Sequence, residues 1–233
     1  MVALVLVFGC AMLHCGKRVL VQNLQLSITN CFSKVMSKQT RPFKNPTPLT
    51  EEQIRAHTVG ELKPLSGPIL IVDYDSQWPD LFKHEAEKLR AVLGSRALQI
   101  EHTGSTAVPG LAAKPIIDMV LVVTDSADEE AYAPALAAAG YSLRIREPDW
   151  YEHRMFKGPN TDINLHVFSS GCPEIARMLM FRNWLRSHAE DRDLYASTKL
   201  ALARQEWKHV QNYADAKTAV IKEIMARACA DQR

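Results

Sequence analysis

Residues 102–123 read HTGSTAVPGLAAKPIIDMVLVV. A Gly-Ser pair, Gly104 and Ser105, closes one apolar segment, and Asp118 opens the next. Gly104 lets the backbone come close to a ligand, while the hydroxyl and amide of Ser105 suit a phosphate oxygen at a helix start. An Asp at the edge of the following strand then suits a Mg²⁺ ion bridging those phosphates. A glycine turn, a serine, a spacer and an aspartate are what a nucleoside-triphosphate site without a P-loop needs. The same residues also suit a structural turn, in which Gly104 bends the chain, Ser105 caps a helix and Asp118 is a polar strand end.

The surrounding chain narrows the field. It has 233 residues, 47% of them hydrophobic, enough for one core with an appendage. A net charge of +2, with acids and bases interspersed, gives no field for nucleic acid or an acidic membrane surface. The five cysteines form no CxxC pair and no disulfide framework, which implies a reduced, cytoplasmic setting. No GxxxxGK[ST], GxSxG or HExxH occurs, and no aromatic-basic stripe suggests RNA. Residues 1–35 form an apolar extension, MVALVLVFGCAMLHCGKRVL at its start, too short for a comfortable membrane span. It reads as a mispredicted start, with translation opening at Met36, as a targeting segment, or as a disordered extension.

Residues 36–67 are a polar, Pro-rich linker with a short helix at LTEEQIRAHTVG, where Thr50 and Gln53 make a capping box. Residues 68–171 alternate between strand and helix patterns. ILIVDY reads as a strand, SQWPDLFKHEAEKLRAVLG as a helix capped by Ser76, with Leu81, Phe82, Leu89 and Leu93 inward and Gly94 as its stop. ALQIEHTG and KPIIDMVLVV are strands, SADEEAYAPALAAAG a helix, and YSLRIRE a further strand. HRMFKG and DINLHVFS form a hairpin around PNT. Residues 172–233 read as three helices. The fold class is therefore α+β, a small mixed sheet with flanking helices and a C-terminal helical bundle.

Motifs along this stretch resemble the GrpB (UPF0157) family of the nucleotidyltransferase superfamily. The resemblance runs from about Ile71 to Ala228 and rests on VDYDSQWPDLF, EHTGSTAVPGLAAKPIIDM, HRMFKG with NLHVF, FRNWLR and LYASTKLALA. It implies a nucleotidyltransferase-like mixed sheet with Gly-Ser at the mouth of the cleft. Active members of that superfamily carry two carboxylates one residue apart after the Gly-Ser turn, and a third on a later strand, to hold Mg²⁺. Asp118 matches the first carboxylate. Val120 stands at the second position, and by period-two alternation it shares the face of Asp118. On the later strand His166 stands where a carboxylate is expected. The resemblance implies a divalent ion on Asp118 and His166, Mg²⁺ first with Mn²⁺ as the alternative; one Asp with a His is a poor Mg²⁺ cage and imidazole suits Zn²⁺, Mn²⁺ or Fe²⁺ better, so a one-metal or metal-free site is an equal alternative. Family members also occur fused to dephospho-CoA kinase.

Other residues fall into ranks. Glu147, ending its strand, is a candidate for the missing carboxylate, which makes Asp118, His166 and Glu147 the catalytic set. His102 before the turn and Lys114 before Pro115 suit phosphate, or a structural His and a solvated Lys. Arg154 is the best planar anion fork. Arg182, four residues from Arg186, and Lys199, four from Tyr195, sit on helices that close the substrate side of such folds. Trp184 and Trp207 read as packing. The functional reading is transfer of a nucleotidyl group from an NTP to a small acceptor, with a catalytically inactive nucleotide- or CoA-like-phosphate-binding module as the alternative.

Overall fold

Two strands buried on both faces frame the fold, β2 (Ile117–Val123) and β5 (Ile163–Ser169), paired in parallel with Asp118 opposite Asn164 and Val120 opposite His166. Their Val, Ile, Leu and Phe residues explain the pairing, because parallel strands must be covered on both sides. The computed structural model describes residues 49–159 and 162–231. The extension over residues 1–35, linker residues 36–48 and part of the hairpin turn lie outside them.

On one side β1 (Gln99–Thr103) runs antiparallel to β2 and sets Thr103 opposite Asp118. On the other, β4 (His153–Lys157) pairs antiparallel with β5, and β3 (Ser142–Glu147) antiparallel with β4. The order β1-β2-β5-β4-β3 is the expected mixed sheet. α1 (Glu51–His57) starts at the expected capping box of Thr50 and Gln53.

α2 (Trp78–Leu93) and α3 (Ala133–Ala138) cover one face, where Leu89, Leu93, Met119, Leu121, Leu136, Phe156 and Leu165 form the main core. α4 (Pro173–Ser187) lies against the opposite face, packing Ile175, Met178 and Leu179 on Val120, Val122 and Phe168. α5 (Ala189–Ala203), α6 (Val210–Ala216) and α7 (Thr218–Asp231) complete the helical end. A cluster of Leu185 from α4, Tyr195 from α5 and Val220 and Ile224 from α7 encloses Val108 and Leu111 of the loop after the Gly-Ser turn. The helical region is thus anchored to the segment that carries the opening motif. No helix among the described residues is long and apolar enough to cross a membrane.

Several expectations are corrected. ILIVDY is not a strand but an extended segment with one bridge, Val72 to Ala113. The cap of α2 is Gln77, whose amide donates to Asp75 Oδ1, so Ser76 has no capping role. Leu81 is exposed, and Trp78 and Ala86 fill the inward face instead. The segment YADAKTAVIKEIMARA is broken between α6 and α7 at Lys217. Gly94, at φ +57, ends α2 as expected.

Val120 is fully buried among Phe168, Ile175 and their neighbours. Placing the superfamily's second carboxylate there with Val120→Asp would strand a charge in an apolar cluster. A loss of about 3–5 kcal/mol is expected, measured by urea unfolding at neutral pH.

Candidate functional site

Asp118 sits where three strand ends meet: the end of β1, the start of β5, and its own position at the mouth of β2. Gly104 follows β1 at φ +67, and a Cβ built on it would lie 2.3 Å from Asp118 Oδ2. Glycine is therefore demanded twice, by the left-handed backbone and by the carboxylate pressed against it. Ser105 then begins a short 3₁₀ turn, Ser105–Ala107. Asn164 Nδ2 donates to Asp118 Oδ1 at 2.7 Å, and His166 Nε2 stands 3.9 Å from the same oxygen. Burial works against charge on Asp118. Contacts with His166 and Asn164 and the charge of Lys114 outweigh it, holding the carboxyl below the usual carboxylate range.

Facing Asp118 is a group of lysines. Lys199, only 2% exposed, donates to Ser105 Oγ at 3.0 Å and to the Ala112 carbonyl at 2.5 Å. Its ammonium lies 4.9 Å from the centre of the Tyr195 ring. Lys114 and Lys217 flank a second aromatic ring, that of Tyr213, at 5.5 and 4.6 Å. Burial, then the neighbouring Lys217 charge, pulls Lys199 down to about 7 despite Asp118. Burial and Lys114 bring Lys217 to about 8, and burial also lowers Lys114. The Tyr213 hydroxyl is buried without a hydrogen-bond partner among the described residues. Three lysines with depressed proton affinity and one unpaired hydroxyl are thus set against a single carboxylate.

Behind His166 lies a line of polar side chains. His166 Nδ1 is 3.0 Å from His153 Nε2, and His153 Nδ1 is 2.6 Å from Glu147 Oε2. The two imidazoles stack, and His153 also lies against Phe168 and Trp150. Glu147 therefore reaches the cleft through two histidines rather than as a carboxylate beside Asp118.

Of the residues singled out in the sequence, Gly104, Ser105, Lys114, Asp118, His166 and Lys199 converge on the cleft. His102 does not open into it. Its ring stacks on Phe82, Nε2 lies 3.1 Å from Thr106 Oγ1, and burial takes it down to about 4, a neutral structural histidine. Arg154 alternates with His153 along β4 and so points to the other face, where Nε donates to Glu129 Oε1 at 2.5 Å. Arg182 holds Glu101 and the His102 carbonyl at 2.8 and 2.7 Å, and Arg186 holds the Ala107 carbonyl at 2.9 Å. The arginine pair braces the Gly-Ser turn from α4. Sequence reasoning missed Lys217 and Tyr213, which carry no motif. Their signal, a lysine four residues beyond a tyrosine in a helical stretch, looks like an ordinary surface face.

The resemblance implies a metal ion held by Asp118 and His166. Asp118 Oδ1 and His166 Nε2 are two candidate donors, Val120 is sealed in the core, and the surroundings are cationic. No group of three His, Cys, Asp or Glu side chains placed to hold a metal ion occurs among the described residues. This set does not fit a two-ion Mg²⁺ cage.

A Gly-Ser turn facing a strand-edge aspartate on this mixed sheet is the arrangement the sequence resemblance leads to expect. The chain belongs to the GrpB family, whose GrpB protein profile matches residues 68–227. It is 62% identical over 184 residues to UPF0157 protein BH1888 of Halalkalibacterium halodurans, covering 79% of this chain and 94% of that one. UPF0157 protein SCO7215 of Streptomyces coelicolor is 44% identical over 161 residues, covering 69% and 84%. A dephospho-CoA kinase of Mycobacterium tuberculosis is 28% identical over 207 residues, and the match spans 77% of this chain but half of that protein. The crystal structure of conserved protein GrpB from Enterococcus faecalis superposes with a TM-score of 0.62 at 30% identity, covering 70% of this chain and 99% of that chain.

Gly104→Ala is expected to displace Asp118, because the new methyl group and the carboxylate cannot share the space. The backbone alone costs about 1–2 kcal/mol. A lowered Tm in thermal unfolding is the expected result.

Proposed function

We propose that the chain binds a nucleoside triphosphate with its phosphates between Ser105 and the three lysines, and transfers the nucleotidyl group to a hydroxyl-bearing small acceptor. The observation that carries this is the cluster of Lys114, Lys199 and Lys217 opposite Asp118, with Lys114 and Lys217 over the ring of Tyr213, whose hydroxyl is unpaired, and Lys199 on Ser105. Ammonium groups crowded this closely repel one another, and a polyphosphate relieves the repulsion while giving Tyr213 an acceptor. The lysines neutralise the phosphates, so no step is routed through a metal. A second reading, nucleotide or CoA-like phosphate binding without transfer, is favoured by Val120, which removes the superfamily's second acid.

Calorimetric titration with ATP, GTP, CTP and UTP tests the reading. Lys199→Met is expected to weaken binding about tenfold or more, as loss of a charge-assisted contact does. The pH dependence has a definite sign. Lys199 near 7 and Lys217 near 8 lose their protons as pH rises, and a bound phosphate restores them. Binding therefore takes up protons above about pH 7, and affinity falls as pH rises through that range. Proton uptake is read from the dependence of the binding heat on buffer ionisation. A folded protein that binds none of the four nucleotides, or binds more tightly as pH rises, contradicts the reading. Pyrophosphate release with a bound nucleotide separates transfer from binding alone.

A further inference from the structure

Lys199 is almost fully buried, and among the described residues no carboxylate pairs with it. Its two polar neighbours are the Ser105 hydroxyl at 3.0 Å and the Ala112 carbonyl at 2.5 Å. The other groups around it are Tyr195 on its own helix, Asp118 from β2, Lys114 from the loop before β2, and Lys217 from the junction of α6 and α7. Burial first, then the Lys217 charge, brings its ammonium to about 7, so the neutral amine is well populated just above neutral pH. A neutral amine keeps two N–H donors and gains a lone pair. A carbonyl can only accept, so of the two neighbours only the Ser105 O–H can fill that lone pair.

We propose that Ser105 is a nucleophile with Lys199 as its general base, and that the cleft cleaves carboxylic esters through an acyl-serine. This activity is separate from nucleotide binding, which uses the charged form of Lys199 where the ester chemistry uses the neutral one. The Ser105 proton passes to Lys199 Nζ as Oγ bonds to the ester carbonyl carbon. The bond from that carbon to the alcohol oxygen then breaks, and the alcohol leaves with the proton from Lys199. Water attacks the acyl-serine and gives a proton to Lys199, and the carboxylic acid departs as Ser105 Oγ takes that proton back. An alcohol leaves far more easily than an amine, which suits a base with no carboxylate behind it.

Two further features support the arrangement. Ser105 follows Gly104 in a sharp turn out of β1 that buries Thr106, Ala107 and Val108 but leaves Ser105 itself half-buried and reachable. Lys217 and Lys114, near enough to lower the proton affinity of Lys199, supply positive potential to the oxyanion that forms on the ester carbonyl.

Labelling of the full chain with a fluorophosphonate, in a buffer free of phosphate, tests the proposal. Ser105 Oγ bonds to phosphorus, fluoride leaves with the electron pair of the P–F bond, and the proton goes to Lys199. Mass spectrometry of the peptides should place the label on Ser105, at a rate that rises with pH through about 7 as Lys199 loses its proton. Lys199→Arg keeps the charge and the donors but cannot give up a proton, and should slow labelling on the order of 100-fold or more. Where that variant does not fold, the pH profile of the unaltered protein decides. With 4-nitrophenyl acetate, the unaltered protein should release nitrophenolate in a burst that Ser105→Ala abolishes. No label on Ser105, a rate unchanged across that pH range, a folded Lys199→Arg that labels as fast as the unaltered protein, or no burst overturns the proposal.

Discussion

The space between Gly104 and Asp118 governs this protein. A Cβ on Gly104 would sit 2.3 Å from the carboxylate, so the turn and the strand can meet only if the first residue of the turn has no side chain. That contact brings the end of β1 and the mouth of β2 together and presents Ser105 to the same opening as Asp118. The helical region then closes over it, because Val108 and Leu111 of the following loop are core residues of the cluster formed with α4, α5 and α7. Lys199 and Lys217 reach the cleft as a consequence. The site is thus a product of packing across the whole chain, with the sheet supplying the carboxylate and the helices the cations.

The balance of charge in the cleft follows from that division. In a two-ion site, several carboxylates gather metal ions that then gather phosphate. Here one carboxylate faces three lysines, and the position of the second acid is filled by a valine that packs against Phe168 and Ile175. The positive charge among the described residues of the site comes from Lys114, Lys199 and Lys217. Burial first, and the neighbouring ammonium charges after it, lower the proton affinities of Lys199 and Lys217 toward the neutral range.

Much of this was legible in the sequence, because the decisive elements were local. Alternation in KPIIDMVLVV put Asp118 and Val120 on one face and foretold that Val120 would serve packing. Gly104 and Ser105 announced the turn, and His166 with Asn164 announced a polar face on β5. What could not be read were partnerships across the chain. Arg154 looked like the best anion fork, yet β-alternation with His153 turns it to Glu129 on the far face. Arg182 and Arg186 looked like a basic ridge and are spent on the carbonyls of the Gly-Ser turn. Lys217 and Tyr213 belong to a break between two helices that the continuous pattern concealed. Glu147 was marked for the site, but its route through His153 to His166 depends on strand order, which no local pattern encodes.

The most direct test is a crystal structure of the protein with a nucleoside triphosphate whose α,β-bridging oxygen is replaced by a methylene group. The account requires the phosphates to lie between Ser105, Lys199 and Lys217, with the Tyr213 hydroxyl donating to a phosphate oxygen and Asp118 facing the α-phosphate. Phosphates bound elsewhere on the chain, or a cleft in which Tyr213 stays unpaired beside a bound nucleotide, would contradict it.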